Sequence, residues 1–332
     1  MAGAASFPAL TPYGLDAVPA ALCGGIVTIG AFDGIHRGHQ ALLAVARRKA
    51  EEGAVPAVVL TFEPHPRAVL RPHDPVFRLT PLPVRARILK ALGLDGLIVV
   101  PFDSGFASTT AHRFIDDILV GRLALSGAVV GRDFRFGHGR EGTVAMLTEA
   151  GERFGFSITE VDRIGDAAGA PYASRTIRAH LAAGEIAAAN TQLGYRWFVE
   201  GEVVAGDRRG RTLGYPTANM AIGGDCRLRH GIYAVRLQRA DGTIHGGVAN
   251  YGRRPTFDNG APLLETFVFD FSGDLYGETV SVAFVEWVRP ELKFASAEEL
   301  VAAMDADSAR ARAILASAGP GSSLDKALAN RD

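Results

Sequence analysis

The pattern of apolar residues changes near Trp197, and this change limits the possible folds more than any other feature. Before it, apolar runs of strand length alternate with stretches of helical periodicity, beginning with Ile26–Ile29 and the helical stretch 38–51. Strands that alternate with helices predict an open, doubly wound parallel sheet. After it, β-rich runs are separated by Gly and Asp-Gly turns, which predicts an antiparallel β-barrel of about six strands. The fold class is therefore α/β followed by β.

The predicted elements follow from these runs and from their capping residues. In the first half, strands are predicted at 26–29, 55–62, 96–102, 128–131 and 157–163, and helices at 38–51, 83–92, 111–119 and 143–154. Two short helices on either side of Gly184 occupy 172–194, and the later strands are 198–204, 231–237, 244–249, 265–271 and 280–287. A terminal helix at 297–316 begins after Ser296, a good cap. The Gly-, Ser- and charge-rich end, 319–332, is predicted to be frayed. We place the domain boundary so that the domains are 1–185 and 186–332.

The composition argues against several classes of protein. A length of 332 residues suits two domains, and a net charge of −1 gives no general attraction to nucleic acid or to an anionic membrane. Cys23 and Cys226 stand in different predicted domains, so no disulfide framework is expected and a reducing cytoplasm is the predicted location. No apolar run reaches the ~18 residues of a membrane span. We expect neither a nucleic-acid nor a membrane partner, and self-association is possible but is not encoded in any visible pattern.

The arginines in the second predicted helix also bear on a nucleic-acid partner. Arg85 and Arg87 are spaced along that helix as charges on a solvated face would be, and they do not form a basic patch.

A first chemical motif, GAFDGIHRGH at 30–39, lies between the first predicted strand and the first helix. Ligands of open parallel sheets bind at this end of the strands, where glycines allow close approach and the helix N-terminus favours phosphate. His36 and His39 stand three apart and could both donate to phosphate oxygens, which stabilises charge on the α-phosphate during adenylyl transfer. The alternative is that one histidine caps the helix and the other is merely exposed. The chain contains no GxxxxGK[ST] sequence, which argues against a P-loop.

A second motif, GRTLGYPTAN at 210–219, lies in the β-rich half. Its glycines indicate a backbone that could close over phosphates. Thr217 and Asn219 are two apart, so on a strand both side chains face one side, and their oxygens suit Mg²⁺. The alternative is a Gly/Pro turn with two surface polar groups.

Both motifs, with others in the same order, resemble the prokaryotic bifunctional riboflavin kinase/FAD synthetase family, a branch of the HxGH nucleotidyltransferases. The resemblance covers about residues 20–316. The similar blocks are 28–40, 61–66 (TFEPHP), 102–107, 130–137, 216–219 (PTAN), 231–235, 247–256, 270–277 and 289–294. It implies a nucleotidyltransferase-like FMN adenylyltransferase domain followed by a six-stranded riboflavin kinase barrel with a terminal helix. The substrates would be riboflavin, FMN and ATP, with Mg²⁺ accompanying ATP.

The resemblance also implies roles for individual residues. His36 and His39 would hold the ATP phosphates, and Glu265 would take the proton from the ribityl hydroxyl that attacks the γ-phosphate. The metal would be held by Thr217 and Asn219. The implied ATP-binding residues are Gly30, Phe32, Asp33, Gly38, Asp133, Ser174, Arg178, Gly210, Arg211 and Gly214. The implied flavin-binding residues are Phe62, Pro64, His65, Arg289 and Glu291.

One block departs from the family pattern of Ser-Ser-Thr or Ser-Ser-Ser, any residue, and Ile-Arg. Here residues 173–178 read ASRTIR, so Ala173 and Arg175 replace two hydroxyl positions that bind the triphosphate in the family. The predicted function is phosphorylation of riboflavin to FMN, then adenylylation of FMN to FAD with release of pyrophosphate. The alternatives are a riboflavin kinase whose adenylyltransferase domain is impaired at these positions, a non-catalytic flavin or nucleotide module, and an HxGH adenylyltransferase for another substrate.

Overall fold

The computed structural model describes residues 10–74, 76–204, 215–253 and 262–330. The chain divides into two compact units, Met1–Tyr172 and Ala173–Asp332. This division groups the two helices that follow residue 173 with the β-rich unit. The domain boundary after residue 185 stays a prediction.

The first unit is built on a six-stranded sheet in the order β1-β4-β3-β2-β5-β6, and every neighbouring pair is parallel. Its strands are β1 (Pro12–Gly14), β2 (Ile26–Ile29), β3 (Ala57–Glu63), β4 (Gly96–Pro101), β5 (Gly127–Gly131) and β6 (Ser157–Val161). Strand β2 lies near the centre of the sheet. The strands that follow it in sequence are placed first on one side, as β3 and then β4, and afterwards on the other side, as β5 and then β6. The carboxyl ends of β2 and β5 therefore form the switch point at which ligands bind in open sheets.

Helices cover this sheet. They are α1 (Arg37–Gly53), α2 (Pro66–Leu70), α3 (Leu82–Ala91), α4 (Ser104–Ala107), α5 (Ala111–Arg113) and α6 (Val144–Phe154). A π-helical segment, Phe114–Val120, continues α5, and short 3-10 turns cover Leu15–Ala17, Ala20–Leu22 and His138–Arg140. Consecutive residues Val58, Val59 and Leu60 are all fully buried, as expected of a parallel strand covered on both faces.

The second unit is a nearly closed antiparallel barrel preceded and followed by helices. Its elements are α7 (Ser174–Ala183), α8 (Ile186–Leu193), β7 (Phe198–Glu202), β8 (Thr217–Ala221), β9 (Gly231–Gln238), β10 (Ile244–Arg253), β11 (Pro262–Val268), β12 (Thr279–Arg289), α9 (Ala297–Ser317) and α10 (Ser323–Ala329). The strand order is β7-β12-β9-β10-β11-β8, and a bridge between Val204 and Asn219 joins the two edges. The predicted fold class, a parallel sheet followed by a six-stranded antiparallel barrel with a terminal helix, is confirmed.

Helix α9 packs against the outer face of the barrel. Ala311 of α9 belongs to a buried cluster with Ala234, Phe269 and Val288. Phe267 of β11 packs against the same cluster.

The prediction of a frayed C-terminus was wrong. Ser322 and Asp325 form a capping box at the start of α10, and Leu324 and Leu328 are buried. The backbone N–H of Arg196 also donates to Asp325 Oδ1 at 2.8 Å. Two leucines four residues apart anchor a helix that composition alone does not reveal. Among the described residues, no helix is both long enough and apolar enough to cross a membrane.

Candidate active sites

The two motif histidines meet at the N-terminus of α1. His36 is the N-cap, and its Nδ1 accepts the backbone N–H of His39 at 3.4 Å. The two imidazoles stack with centroids 3.7 Å apart and planes inclined by 19°. The ring of Phe32 stands edge-on to His39 at 5.2 Å. The structure thus brings together the predicted catalytic pair and one predicted ATP-binding residue.

Burial keeps both imidazoles neutral. It lowers the pKa of His36 from 6.5 to about 4, although the charge of Asp33 opposes the shift. Burial also lowers the pKa of His39 well below its usual value, and His36 and Arg85 add to that shift. Because Nδ1 of His36 accepts a hydrogen bond, the proton of its neutral ring resides on Nε2. His36 can therefore donate one N–H to an anion without carrying a charge.

The loop between β2 and α1 has a strained backbone. Phe32, Gly34 and Ile35 have φ values of 45°, 84° and 36°. Such a φ is uncommon for a non-glycine residue and is an outlier for a β-branched one, and such conformations concentrate at functional sites. The glycines at 30 and 38 are tightly enclosed, since a Cβ on either would lie 3.2 Å from the ring of Phe32 or His36 respectively.

Asp33 anchors this loop to the segment before α3. Its carboxylate accepts the N–H of Leu79 at 3.2 Å and both the N–H and the hydroxyl of Thr80 at 2.9 and 3.3 Å. In return, Gly34 N–H donates to Thr80 Oγ1 at 2.8 Å. These bonds give the Asp33 carboxylate a structural task, and its ATP-binding role stays a prediction.

The interpretation of Arg85 as part of a solvated face was wrong. Arg85 is 1% exposed, and its guanidinium donates to Thr61 Oγ1 at 3.0 Å and to the carbonyl of Thr80 at 3.3 Å. A signal for this burial is present in the sequence, because Arg85 stands three and four residues before the apolar Ile88 and Leu89. The arginine therefore belongs to the inward stripe of α3.

The predicted flavin residues of this unit lie at the end of β3. Phe62 forms a cluster with Phe102 and Phe106, with centroid distances of 5.6 to 5.9 Å. Pro64 is exposed, and the ring of His65 caps α2 by accepting the N–H of Arg67 at 3.2 Å. Phe102 and Phe106 were not among the predicted site residues, although both stand in blocks that resemble the family.

Asp133 follows β5, which neighbours β2 in the sheet, so it lies across the switch point from the histidine motif. It is exposed and forms an ion pair with Arg163, whose hydrogen bond lowers the pKa of the carboxyl.

Ser174 and Arg178 occupy the first two turns of α7 in the second unit. Ala173 is the N-cap of that helix and provides no side-chain hydrogen bond. The helix that carries these two predicted ATP-binding residues thus begins without the hydroxyl that the family pattern has there.

In the barrel, Glu265 occupies the middle of a polar row. On β11 it stands directly opposite Asn219 of β8 and Asn250 of β10, so the three side chains share one face. Thr217 stands opposite Phe267, one pleat further along the same face. Among the described residues, the buried Oδ1 atoms of Asn219 and Asn250 make no hydrogen bond. Asn250 was not predicted, because only strand register places it beside Glu265.

Arg289 and Glu291, the predicted flavin residues of the barrel, stand at the end of β12 and just after it. Arg289 donates to both carboxylate oxygens of Asp307 on α9. Glu291 approaches β10 closely, because a Cβ on Gly252 would lie 1.9 Å from Glu291 Oε1. The predicted ATP-binding residues Gly210, Arg211 and Gly214 lie outside the described residues.

Comparison with known proteins agrees with both halves of this geometry. Residues 18–174 match the family model described as FAD synthetase, and residues 193–315 match the one described as riboflavin kinase. The bifunctional riboflavin kinase/FMN adenylyltransferase of Escherichia coli K12 is 39% identical over 289 residues, which cover 87% of this chain and 92% of that protein. The protein of the same description from Haemophilus influenzae is 38% identical over 300 residues, covering 90% and 97%.

The chain belongs to the bifunctional riboflavin kinase/FMN adenylyltransferase family. Both predicted activities, the kinase and the adenylyltransferase, are thereby confirmed at the level of the family. The same architecture occurs in a crystal structure described as a macrolide-efflux protein from Streptococcus pneumoniae, with a TM-score of 0.80 and 31% identity. That match covers 92% of this chain and 99% of the other. We refer below to the FAD synthetase unit and the riboflavin kinase unit.

Proposed function

We propose that the riboflavin kinase unit phosphorylates riboflavin with ATP, and that the FAD synthetase unit adenylylates the FMN product with a second ATP. The observation that carries this proposal is that each unit gathers its own predicted catalytic residues. His36 and His39 stack in the first unit, and Glu265 lies between Asn219 and Asn250 in the second. The two catalytic sets share no residue, so each can be mutated without changing the other.

For adenylyl transfer, we assign the histidines the task of stabilising charge on the α-phosphate of ATP. A neutral imidazole N–H at a helix N-terminus donates to phosphate oxygen, and the helix dipole favours the same anion. Preorganised donors of this kind stabilise the charge that grows as pyrophosphate leaves. The stacking and burial of the two rings support this role, because they fix the rings before the substrate arrives. Asp133, across the switch point, is assigned to the nucleotide, and Phe62 with its aromatic neighbours to the flavin ring.

For the kinase, we assign Glu265 the role of accepting the proton from the ribityl hydroxyl. A carboxylate within reach of that hydroxyl orients it and takes its proton as it attacks the γ-phosphate. Most of the barrier to phosphoryl transfer is lowered by positioning and by neutralisation of the phosphates, so the neighbouring amides matter too.

The residues beside Glu265 fit Mg²⁺. The amide oxygen of Asn219 is buried and makes no hydrogen bond among the described residues, while its Nδ2 donates to the carbonyl of Thr217 at 3.3 Å. An oriented, unsatisfied oxygen next to a hydroxyl suits a hard cation that also binds substrate phosphates. Thr217 and Asn219 would hold the ion, which would neutralise phosphate charge when bound.

A cytoplasmic location is part of the proposal. It is supported by Cys23 and Cys226, which are both free thiols.

The test asks, in one assay, whether each activity can be removed by mutation without loss of the other. Wild-type protein is incubated with Mg-ATP and either riboflavin or FMN, and the flavins are separated by chromatography. Glu265→Gln should abolish FMN formation and leave FAD formation from added FMN intact. The His39→Gln variant should convert riboflavin to FMN but should not convert FMN to FAD. The matched controls are Glu286→Gln, an exposed glutamate on β12, and His112→Gln, an exposed histidine on α5.

The outcomes separate the alternatives. If the wild-type protein makes FMN but no FAD, the impaired-adenylyltransferase alternative holds. If Glu265→Gln keeps its kinase rate, or His39→Gln its adenylyltransferase rate, the corresponding assignment is wrong.

A further inference from the structure

Arg85 is a buried charge that the proposed chemistry does not use. Its side chain lies within the FAD synthetase unit with only 1% of the residue exposed. Arginine is seldom fully buried, because removing its charge from water is costly unless hydrogen bonds and countercharges compensate. Its Nε is buried and has no hydrogen-bond partner among the described residues. A charge kept at this cost requires an explanation beyond packing.

The hydrogen bonds of Arg85 lead to the catalytic loop. Nη1 donates to Thr61 near the end of β3, and Nη2 donates to the carbonyl of Thr80. Thr80 in turn binds Asp33 and Gly34, which lie in the motif loop just before His36. The guanidinium therefore joins a sheet strand to the turn on which the loop is anchored.

The charges around Arg85 come from several elements. Burial lowers its pKa, Asp33 of the loop and Glu63 of β3 oppose that shift, and Arg78 adds to it. Arg78 is itself paired with Glu63. The net effect of Arg85 on the histidines is electrostatic as well as geometric, because its charge disfavours protonation of His39.

We propose that Arg85 is a positioning residue for adenylyl transfer: its buried guanidinium ties the strand end at Thr61 to the turn at Thr80, and so holds the loop that carries His36 and His39. It does not touch the reacting atoms. This inference rests on the proposed role of the histidine pair. It also assigns the cation a second task, which is to add to the effect of burial in disfavouring protonation of His39.

Two substitutions separate geometry from charge. Arg85→Met removes both, whereas Arg85→Lys keeps the positive charge and loses the planar fork that reaches two acceptors. Arg85→Met should lower kcat for FAD synthesis by about 100-fold, the effect of a small misplacement of catalytic groups. The rate of FAD synthesis falls on the acid side of its pH profile, which we call the acid limb. In Arg85→Met the pH of this fall should be higher by about one unit, since a neighbouring cation is lost. Arg85→Lys should restore the position of that limb but only part of kcat.

The experiment uses the full chain, with riboflavin kinase activity of the same preparation as the folding control. Lys90→Met, which removes an exposed cation from the same helix, is the matched control and should leave both activities unchanged. The kinase rate should stay within about twofold in every variant. Wild-type kcat and an unshifted acid limb in Arg85→Met would overturn the inference. An unshifted limb with low kcat would refute the electrostatic task.

A milder variant keeps the inference testable if Arg85→Met does not fold. Thr61→Val removes the acceptor of Nη1, and with it the hydroxyl that donates to the carbonyl of Ala31 in the same loop at 3.3 Å, with little change of shape. It should lower kcat for FAD synthesis by about tenfold, mainly through the lost charge-assisted hydrogen bond. Unchanged kcat in Thr61→Val would count against the inference. His39→Gln distinguishes the two proposals. If it is active, the histidine assignment fails; if it is inactive while Arg85→Met is normal, only the role of Arg85 fails.

Discussion

Arg289 at the end of β12 and Asp307 on α9 form a two-pronged ion pair, with Nε to Oδ1 at 2.8 Å and Nη2 to Oδ2 at 2.6 Å. Nη1 of the same guanidinium donates to the carbonyl of Pro290 at 2.8 Å. All three guanidinium nitrogens are thus engaged, two of them with α9 and one with the residue that follows β12. The predicted contact of Arg289 with the flavin would have to coexist with this structural role.

Asp307→Asn should destabilise the riboflavin kinase unit by about 3 kcal/mol, because it leaves the Arg289 charge largely buried and without its partner. The estimate is at the low end for buried pairs, since 20% of the Arg289 side chain is exposed. Tryptophan fluorescence during urea unfolding measures this unit alone, because both tryptophans of the chain, Trp197 and Trp287, lie in it.

Asp270→Asn is the matched control. Asp270 pairs with Arg312 of α9 in the same two-pronged way, but the two side chains are 77% and 50% exposed. Its φ of 56° is one that asparagine tolerates. The unfolding midpoint should stay at the wild-type value. If Asp307→Asn and Asp270→Asn lowered the free energy of unfolding equally, burial would not determine how much such an ion pair contributes to stability.

The neutral state of His36 predicts that the FAD synthetase unit loses stability in acid. The pKa of His36 falls from 6.5 to about 4 on folding, so between these pH values the unfolded chain binds a proton that the folded chain does not. His36 should therefore contribute a fall of ~3 kcal/mol in the free energy of unfolding as the pH drops from 6.5 to 4, and its contribution should level off below pH 4. Hydrogen exchange of peptides from α1 measures it.

His36→Asn tests the cause of this dependence. Asparagine can still cap α1, so the helix should remain while the titration at this position disappears. Between pH 6.5 and 4, the free energy of unfolding of the variant should fall by less than that of the wild-type protein. The variant should also make no FAD. The same pH dependence in the variant and the wild-type protein would exclude His36 as the source.

Gly252→Ala should weaken riboflavin binding. The new Cβ would meet the carboxylate of Glu291, which must swing away from β10. If that carboxylate binds flavin, the loss of one hydrogen bond should raise KM for riboflavin by about twofold to tenfold. Steady-state kinetics with riboflavin and, separately, with FMN in the adenylyl step measure the effect and provide an internal control.

Gly224→Ala is the control variant, because a Cβ there meets nothing within 4 Å. Unchanged KM for riboflavin in Gly252→Ala would remove Glu291 from the flavin site.

Ala173→Ser should strengthen both α7 and FAD synthesis. The backbone at 173 is extended, as an N-cap requires, and the missing hydroxyl would accept a backbone N–H of the first turn. A serine cap stabilises a helix by about 1 kcal/mol relative to alanine. It would also restore one hydroxyl of the family pattern, so KM for ATP in the adenylyl step should fall. Ala182→Ser, at an exposed position near the end of α7, should do neither.

Arg175→Thr tests the second replaced hydroxyl in the same assay. Slower FAD synthesis in this variant would indicate that the exposed guanidinium of Arg175 has taken over the phosphate contact. If Ala173→Ser stabilises α7 but leaves KM for ATP unchanged, the hydroxyl at 173 has no role in binding.

Local sequence patterns were sufficient for most elements and for the histidine site. The alternation of strand and helix periods predicted β2 to β6, and the HxGH spacing placed two histidines within one helical turn. The short strand β1 was missed because three residues carry no periodic signal. The helix α10 was missed because its two buried leucines stand in a segment whose composition is typical of a frayed end.

What the sequence by itself determined is the order of the elements and the residue types at each loop, since periodicity, caps and turn residues are local properties of the chain. Tertiary structure alone decided that Asn250 faces Glu265, that Asp133 lies across the switch point from His36, and which partners compensate the buried charge of Arg85. Strand register and strand order are relations between segments far apart in the chain. The burial of a charge likewise depends on whether distant partners can compensate it, and no local pattern encodes that balance.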